Sequence, residues 1–510
     1  MLARVLSFVV LGIEAYPVEI EVDVSRGLPA IALVGLADAA IRESKERVKS
    51  AIKNSGFQWP GERITVSLAP AQVKKEGACL DLAIALGILS ATGQVNAEML
   101  KDYYLLGELS LDGSLRPIRG SLSISMAASR SKIKNVITCV QNAKEAACVL
   151  DVRIFALKTL RETVEFLHHP DSLKPFDLEL GGLLEQASVY PMDFSEVKGQ
   201  YAAKRALEVA VAGGHNVAMI GPPGAGKTML AKRMPTIMPD LTFEEALEVT
   251  KVHSVMGTLP NKGGLIGIRP FRSPHHSISS IALIGGGSIP VPGEISLAHQ
   301  GVLFLDELPE FRRDSLEALR QPLEDGLIRV SRIAKSLVFP ASFMLVAAMN
   351  PCPCGLLGQL RSACRCSTTQ IARYRSKISG PLLDRIDIHI EVPAAKYQEL
   401  AGNLPAESSA QIKERIDKAR TIQKERFKEE SIFYNAQMSH KQVRKFCVLG
   451  KEESELLKMA MTELNFSARA YDKILKVSRT IADLVGSEQI KTEHLSEAIQ
   501  YRSLDRYFFV

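Results

Sequence analysis

The chain contains an octapeptide rich in glycine and proline that ends in lysine and threonine. It follows the apolar run Val217–Ile220 and precedes a segment of helical character, residues 229–234. In this strand–loop–helix context, backbone N–H groups wrap around nucleotide phosphates and the helix N-terminus adds a favourable dipole. The sequence therefore predicts a phosphate-binding loop formed by Gly221, Pro222, Pro223, Gly224, Ala225, Gly226, Lys227 and Thr228.

The residue types in and near this loop indicate a site that hydrolyses ATP. Lys227 is expected to reach the β- and γ-phosphates, and the Thr228 hydroxyl to hold Mg²⁺. A second apolar run, Val302–Leu305, ends in Asp306 and Glu307. Alone, such a run is usually a strand that meets a solvated turn. Beside the phosphate loop, Asp306 would complete the Mg²⁺ shell and Glu307 would deprotonate the attacking water.

Three further polar residues are candidates for the same site. Asn350 follows an apolar strand and could hold the attacking water, or it could only initiate a turn. Arg385 precedes a predicted strand and could act on the γ-phosphate of a neighbouring subunit, or form a surface salt bridge. Arg469 opens a helix and could reach the nucleotide of its own subunit, or be an exposed arginine near a helix cap.

A chain of 510 residues is too long for one hydrophobic core, so several domains are expected. Residues 1–170 mix short strand patterns with helical stretches and predict an α/β domain; residues 171–184 read as a linker. In residues 185–395, buried strands alternate with helices, as in a parallel, doubly wound sheet. Residues 396–510 contain amphipathic helices only, which predicts a helical lid domain.

Composition sets only broad limits on partners and location. The 63 basic and 57 acidic residues leave a net charge of +6, which permits a polyanionic partner without requiring one. The apolar N-terminus runs into the alternating pattern of a half-buried strand, so it does not resemble a signal peptide. No segment has the apolar length that crosses a bilayer. We therefore expect a cytoplasmic protein without a membrane partner.

Four of the eight cysteines lie close together, directly after Asn350. Four thiolates in a loop of residues 352–366 would suit a structural Zn²⁺ ion, because all ligands would come from the protein. Reduced free thiols are the main alternative, and an iron–sulfur cluster is a third. The candidate zinc ligands are Cys352, Cys354, Cys364 and Cys366.

Two basic segments could contact nucleic acid. One is a long stretch between the phosphate loop and Asp306, and the other is a predicted hairpin at residues 327–338. Positive loops hold phosphates without reading sequence, although charge at a hairpin tip is most often simply solvated. The candidate DNA contacts are Arg269, Arg272, His275, His276, Arg329, Arg332 and Lys335.

Taken together, these motifs resemble the AAA+ family, more narrowly the clade of the magnesium chelatase ATPase subunit and its ComM-type (YifB-like) members. The resemblance runs through residues 221–228, 271–279, 297–311, 347–355, 379–392 and 467–484. It implies a P-loop fold with a helical lid, with Asn350 as sensor 1, Arg385 as arginine finger and Arg469 as sensor 2. It further implies a hexameric ring that acts as a helicase and drives branch migration of homologous DNA during natural transformation.

The N-terminal domain resembles the proteolytic domain of Lon through residues 68–89 and 107–120. Lon-type proteases use a serine that is activated by a lysine. In this chain Cys79 stands at the serine position and Leu122 at the lysine position. We therefore expect a non-proteolytic scaffold, or a collar that contacts the substrate.

A second class of function remains open at this point. An AAA+ motor could instead remodel a protein partner, as a magnesium chelatase subunit or a chaperone does. The Lon-like domain argues against a chelatase subunit, and the absent dyad lysine argues against a protease. Stimulation of ATP hydrolysis by DNA would distinguish the DNA motor from these alternatives.

Overall fold

The computed structural model of the chain describes residues 2–36, 38–71, 75, 77–178, 190–260, 264–287, 290–331, 336–358, 364–394, 406–464 and 466–504. They form two compact units with separate hydrophobic cores. The first unit takes its residues from Met1–Ala187, Thr242–Gly267 and Ser288–Pro292. The second takes them from Ser188–Leu241, Ile268–Gly287 and Gly293–Val510.

The first unit is an α/β fold built on one large sheet. Its N-terminal part contains strands β1 (Leu2–Leu11), β2 (Glu14–Ser25), β3 (Ala30–Val34), β4 (Arg63–Ala69), β5 (Tyr103–Leu105), β6 (Glu108–Leu109), β7 (Leu115–Arg116), β8 (Asn135–Cys139) and β9 (Arg153–Leu157), and helices α1 (Ala39–Asn54), α2 (Asp81–Ala91), α3 (Ala97–Leu100), α4 (Ser121–Ser129), α5 (Val140–Ala146) and α6 (Leu160–His168). Seven strands form a mixed sheet in the order β3-β4-β2-β1-β5-β8-β9. Helix α2 packs on β1 and β2 with every residue buried, so its sequence has no polar face.

The chain after residue 190 alternates strands and helices and then becomes purely helical. Its strands are β10 (Val217–Ile220), β11 (Phe271–Arg272), β12 (Gly285–Gly286), β13 (Val291–Pro292), β14 (Val302–Leu305), β15 (Leu327–Ser331), β16 (Ser336–Pro340), β17 (Met344–Met349) and β18 (Ile388–Glu391). Its helices are α7 (Tyr201–Gly213), α8 (Lys227–Ile237), α9 (Phe243–Met256), α10 (Ser280–Ile284), α11 (Glu294–Leu297), α12 (Arg313–Ala318), α13 (Arg320–Asp325), α14 (Thr368–Arg375), α15 (Gly380–Leu383), α16 (Ser409–Arg426), α17 (His440–Phe446), α18 (Lys451–Glu463), α19 (Ala468–Leu484) and α20 (Thr492–Gln500).

The core of the second unit is a parallel sheet in the order β11-β14-β17-β10-β18. Every residue of β10, β14 and β17 is buried, which accounts for their continuous apolar sequences. Parallel strands place all their carboxyl ends at one edge, so residues that follow these strands come together there. Helix α19 packs against α7, α16 and α20 in the helical region.

Helix α9 comes from the middle of the predicted ATPase region but belongs to the first unit. Lys251 Nζ pairs with Glu14 Oε1 at 2.6 Å, and the Ser254 hydroxyl donates to the Glu145 carboxylate. The predicted domain boundaries give each domain one continuous stretch of sequence. In the structure, by contrast, a segment from the predicted ATPase domain belongs to the first unit. Among the helices that the structure describes, none has the length and apolarity to span a bilayer.

Candidate ATP site and its opposite edge

The phosphate loop lies at the carboxyl edge of the parallel sheet, between β10 and α8. Gly224 and Gly226 have φ angles of +77° and +90°, which residues with L side chains rarely adopt. No described atom lies within 4 Å of the Cβ that either residue would carry. Both glycines therefore serve the backbone conformation of the loop and not its packing.

Lys227 begins α8, and its ammonium group folds back into the loop. Nζ donates to the carbonyl oxygens of Gly221 at 2.6 Å and Pro222 at 3.0 Å, and to Asn350 Oδ1 at 3.2 Å. Burial lowers the pKa of Lys227, against the opposing effect of two nearby carboxylates. Phosphate oxygens of a bound nucleotide would replace the carbonyl contacts and favour the charged lysine.

The residues predicted to hold Mg²⁺ lie side by side although they come from different elements. Thr228 Oγ1 donates to Asp306 Oδ2 at 2.8 Å. Hydroxyl and carboxylate oxygens are the hard ligands that Mg²⁺ prefers, so this pair fits the ion. Glu307 follows with a left-handed backbone, φ +53°, and its N–H donates to Asp306 Oδ1 at 3.0 Å. Such conformations in non-glycine residues cluster at functional sites.

Asn350 reaches the same place because β17 lies between β14 and β10. Ile220 pairs with Met349, so the residues after the two strands, Gly221 and Asn350, are neighbours. The contact between the Asn350 amide oxygen and Lys227 places this residue at the phosphate loop.

His276 contacts the predicted general base. Its Nδ1 lies 3.3 Å from Glu307 Oε2. The imidazole ring also lies against the ring of His275, with centroids 4.0 Å apart, and meets the Phe311 ring edge-on at 6.4 Å. The sequence pattern predicted a DNA contact for this residue and gave no signal for the contact with Glu307.

Arg385 lies at the opposite edge of the sheet from Lys227. It precedes β18, whose Ile388 pairs with Val217, the first residue of β10. Because β10 has four residues, its first and last Cα atoms are roughly 10 Å apart at about 3.3 Å per residue. Arg385 also pairs with Glu324 of the same subunit. From this position its side chain cannot reach a phosphate at the carboxyl edge of its own sheet.

Arg469 lies, like Arg385, at the end of the parallel sheet where the strands begin, here called its amino edge. Its Nη1 lies 2.9 Å from Asp384 Oδ2, and its side chain is 66% exposed. One turn further along α19, Lys473 Nζ pairs with Asp387 Oδ1 at 3.0 Å. The contact of Arg469 is therefore with the residue that directly precedes Arg385, and not with the phosphate loop.

A cavity of about 580 Å³ opens at this amino edge. It is lined by charged side chains from the residues that directly precede β18, from α13 and from α19. They include Glu324, Asp384, Arg385, Asp387, Lys473 and Lys476.

The structure corrects the predicted DNA contact of Arg269. Its side chain is 5% exposed, and its guanidinium group donates to three backbone carbonyls at 2.5, 2.8 and 3.3 Å. Arg269 therefore fixes loop structure and is inaccessible to DNA. Arg272 makes two bonds of 2.7 Å to the carboxylate of Glu294, which compensate its charge inside the subunit.

The other DNA candidates differ in accessibility. Arg329 is exposed on the β15–β16 hairpin, where it stands opposite Val338, while Ile328 and Phe339 face inward. His275 is exposed, and its Nδ1 lies 2.8 Å from the Ser277 hydroxyl. The predicted contacts Arg332 and Lys335 lie outside the described residues.

The four clustered cysteines converge in space. Their Sγ atoms all lie within 4.8 Å of one another, and the thiols are free. The cluster could therefore hold a metal ion. Its members are Cys352, Cys354, Cys364 and Cys366.

In the first unit, Cys79 lacks the surroundings of a nucleophile. Burial, reinforced by the carboxylate of Asp81, raises the pKa of the Cys79 thiol to about 12. Its Sγ contacts the carbonyl oxygen of Phe8 at 3.8 Å. Leu122, at the position of the Lon lysine, is an apolar side chain buried in α4. A thiol that stays protonated at neutral pH is a poor nucleophile.

Three family models cover most of the chain. Residues 193–400 match "Magnesium chelatase, subunit ChlI", residues 20–142 match "Subunit ChlI of Mg-chelatase", and residues 406–502 match "Magnesium chelatase, subunit ChlI C-terminal". The family that the sequence motifs suggested is thereby confirmed.

Similar proteins support the same family over nearly the full length. Competence protein ComM of Haemophilus influenzae is 45% identical over 508 residues, which are 99% of this chain and 98% of that protein. The uncharacterized protein YifB of Escherichia coli is 43% identical over 500 residues, or 97% and 96% of the two chains. Lon protease 2 of Bacillus subtilis is 28% identical over 140 residues, 27% of this chain and 25% of the protease. The chain therefore belongs to the ComM/YifB group of the magnesium chelatase family of AAA+ proteins, with an α/β P-loop fold, a helical C-terminal region and a Lon-like N-terminal domain.

Proposed function

We propose that the chain is an ATP-driven DNA motor of the cytoplasm, a homo-oligomeric ring that translocates on DNA. We expect a hexamer that promotes branch migration of homologous DNA during natural transformation. The support is a relative named competence protein, which is 45% identical over 98% of its own length. Membership of the AAA+ family implies ATP and Mg²⁺ as cofactors.

The observation that supports a ring with ATP sites between its subunits is the separation of Lys227 from Arg385. Lys227, Thr228, Asp306 and Asn350 converge at the carboxyl edge of one sheet. Arg385 lies at the amino edge, roughly one strand length away, beside an open cavity. An arginine in this place can assist hydrolysis only at a site of another subunit, as a ring with ATP between subunits requires.

Each residue of the site has a defined task in hydrolysis. The loop N–H groups and Lys227 bind the phosphates, and Thr228 with Asp306 would hold Mg²⁺, which neutralises phosphate charge when bound. Glu307 accepts the proton of the attacking water, and the Asn350 amide orients that water. Arg385 of a neighbouring subunit stabilises the charge on the γ-phosphoryl oxygens.

The exposed hairpin β15–β16 is the proposed DNA-contacting element. Arg329 makes no ion pair or side-chain hydrogen bond within the described part of the chain, so its charge is available to a phosphate. Contacts of this kind hold DNA without reading its sequence, which suits a motor that must move along any sequence. His275 offers a second exposed donor.

The chelatase family models favour a second candidate, a motor that remodels a protein partner. The ATPase rate with single-stranded, duplex and three-stranded DNA separates the two. A DNA motor should be stimulated, with the effect weakening as salt rises. Arg329→Ala should require more DNA for half-maximal stimulation, whereas Lys418→Ala, which removes an exposed charge on α16 that pairs with Glu414, should not. A rate indifferent to every DNA would overturn the DNA motor and favour a protein partner.

A further inference from the structure

The sulfur atoms of the four-cysteine loop are spaced like the corners of a metal-coordination tetrahedron. Cys352 Sγ is 3.4 Å from Cys354 Sγ, and each is 3.6 Å from Cys364 Sγ. A disulfide would require about 2.05 Å. Thiolates at about 2.3 Å from a zinc ion define a tetrahedron with edges of about 3.8 Å. The fourth sulfur, of Cys366, lies within 4.8 Å of all the others.

The donor set selects the class of metal. Four sulfur ligands suit Zn²⁺, whereas Mg²⁺ and Ca²⁺ prefer oxygen. This centre is therefore chemically distinct from the Thr228–Asp306 pair. All four ligands come from the protein, so no coordination position is left for a substrate, and the role of the metal is structural.

The cysteine loop is packed directly against the phosphate loop. Gly355, which follows Cys354, has a φ angle of +76°, and a Cβ there would lie 2.6 Å from Pro223 Cδ and 3.8 Å from Asn350 Cγ. Cys352 is buried and stands two residues after Asn350. The segment that bears the cysteines thus touches both the loop that binds phosphate and the residue that orients water.

We propose that Cys352, Cys354, Cys364 and Cys366 bind one zinc ion, and that this centre holds the phosphate loop and Asn350 in the geometry that ATP turnover requires. The metal cross-links the cysteine loop. Ordering this loop costs conformational entropy, and the free energy of metal binding offsets that cost because it is also folding free energy. The zinc assignment is independent of the proposed function. The effect of the zinc centre on ATP turnover rests on the proposed function.

Metal analysis of the purified full-length protein tests the site without reference to activity. We expect one zinc per chain, lost in the double variant Cys364→Ser/Cys366→Ser and retained in Cys79→Ser, whose thiol lies outside the cluster. Replacement of zinc by cobalt should give the visible absorption of tetrahedral thiolate coordination. Absence of metal, iron in place of zinc, or unchanged zinc in the double variant would overturn the assignment.

Two glycines of the same loop test the coupling to ATP. Gly355 and Gly358 both have positive φ, +76° and +82°, so alanine strains either backbone in the same way. Only at Gly355 would the added Cβ press on Pro223; at Gly358 no described atom lies within 4 Å. With zinc retained in both, we expect Gly355→Ala to lose about tenfold in ATP turnover, because small displacements of positioned groups cost at least that much.

In the same assay Gly358→Ala should remain near the wild-type rate. Equal turnover in the two variants would overturn the coupling. Zinc content and the contrast between these glycines do not depend on DNA. A failure of the DNA-motor proposal would therefore appear as lost DNA stimulation, with both of these results unchanged.

Discussion

Glu307 would deprotonate water, yet its side chain is 55% exposed and would rotate freely without a partner. His276 supplies that partner at 3.3 Å from Oε2. The imidazole is itself held by the rings of His275 and Phe311. We infer that His276 orients the glutamate and acts through it as a positioning residue.

Replacing His276 by alanine should lower the maximal ATP turnover by about tenfold, because a general base outside hydrogen-bond reach of its water loses most of its effect. The KM for ATP should change little, since the phosphate-binding groups are untouched. His276→Gln retains an amide that can reach the carboxylate and should restore part of the rate. Steady-state kinetics of the two variants check this. Wild-type turnover in His276→Ala would show that the contact has no catalytic consequence.

At the residue scale, the sequence was sufficient to predict the site residues that belong to motifs, but not the side chains that contact them. Lys227, Asp306 and Asn350 follow strands of one sheet, so their spacing was sufficient to predict a common site. Arg269 and His276 lie in the long stretch between the phosphate loop and Asp306, where burial and contacts depend on long-range packing. We therefore predicted a DNA contact for both residues. The burial of the Arg269 side chain contradicts this prediction for Arg269.

Charged and polar side chains join the residue before β18 to the residue that links α7 to β10 and to α19. The carboxylate of Asp387 lies 3.2 Å from His215 Nδ1 and 3.0 Å from Lys473 Nζ. Burial opposes the ionisation of Asp387, but Lys473 and His215 hold its pKa well below the usual range. This cluster fixes the helical region to the strand that follows Arg385.

The variant Asp387→Asn should lose roughly 3 kcal/mol of unfolding free energy at pH 7, because it leaves Lys473 buried without a counter-charge. The folded-state pKa lies below the unfolded value of about 3.9. The stabilisation is therefore present above about pH 4 and lost as the pH falls toward the folded-state pKa, so wild type and variant should converge in acid.

Urea unfolding followed by helical circular dichroism at pH 7 and in acid measures this difference. Asp472→Asn is the matched control on the same helix. Asp472 pairs with His440, whose side chain is 57% exposed, so its loss should cost less than about 1 kcal/mol. Equal midpoints of wild type and Asp387→Asn at pH 7 would contradict the argument.

Element types were easier to predict than their assignment to units. The fully buried strands β10 and β14 have the predicted bounds, since apolar runs bounded by polar loops are distinctive. The strand predicted after Arg385 spans only Ile388–Glu391, because Asp387 turns to the charged cluster. Helix α9 joins the first unit through Lys251 and Ser254, contacts that no local pattern encodes.

At the scale of the whole molecule, the proposed function assigns the two ends of one parallel sheet to two different ATP sites. In this proposal the carboxyl edge of the sheet would bind the nucleotide through Lys227, and the amino edge would present Arg385 to a neighbouring subunit. A closed ring would complete every site by placing the amino edge of one subunit on the carboxyl edge of the next, as a head-to-tail interface does. Sequence motifs identified both residues, but only the parallel pairing of β10 with β18 shows that they lie at opposite ends of the sheet.

Mixing two inactive variants tests this geometry. Arg385→Ala retains an intact nucleotide edge, and Lys227→Ala retains an intact arginine, so each alone should show almost no turnover. In random mixed rings of equal proportions, about one interface in four combines both intact edges, and about a quarter of wild-type ATPase should return. The double variant Lys227→Ala/Arg385→Ala mixed with either single variant gives no such interface and is the control. Activity of the mixture no higher than the sum of its components would place Arg385 outside the neighbour's site.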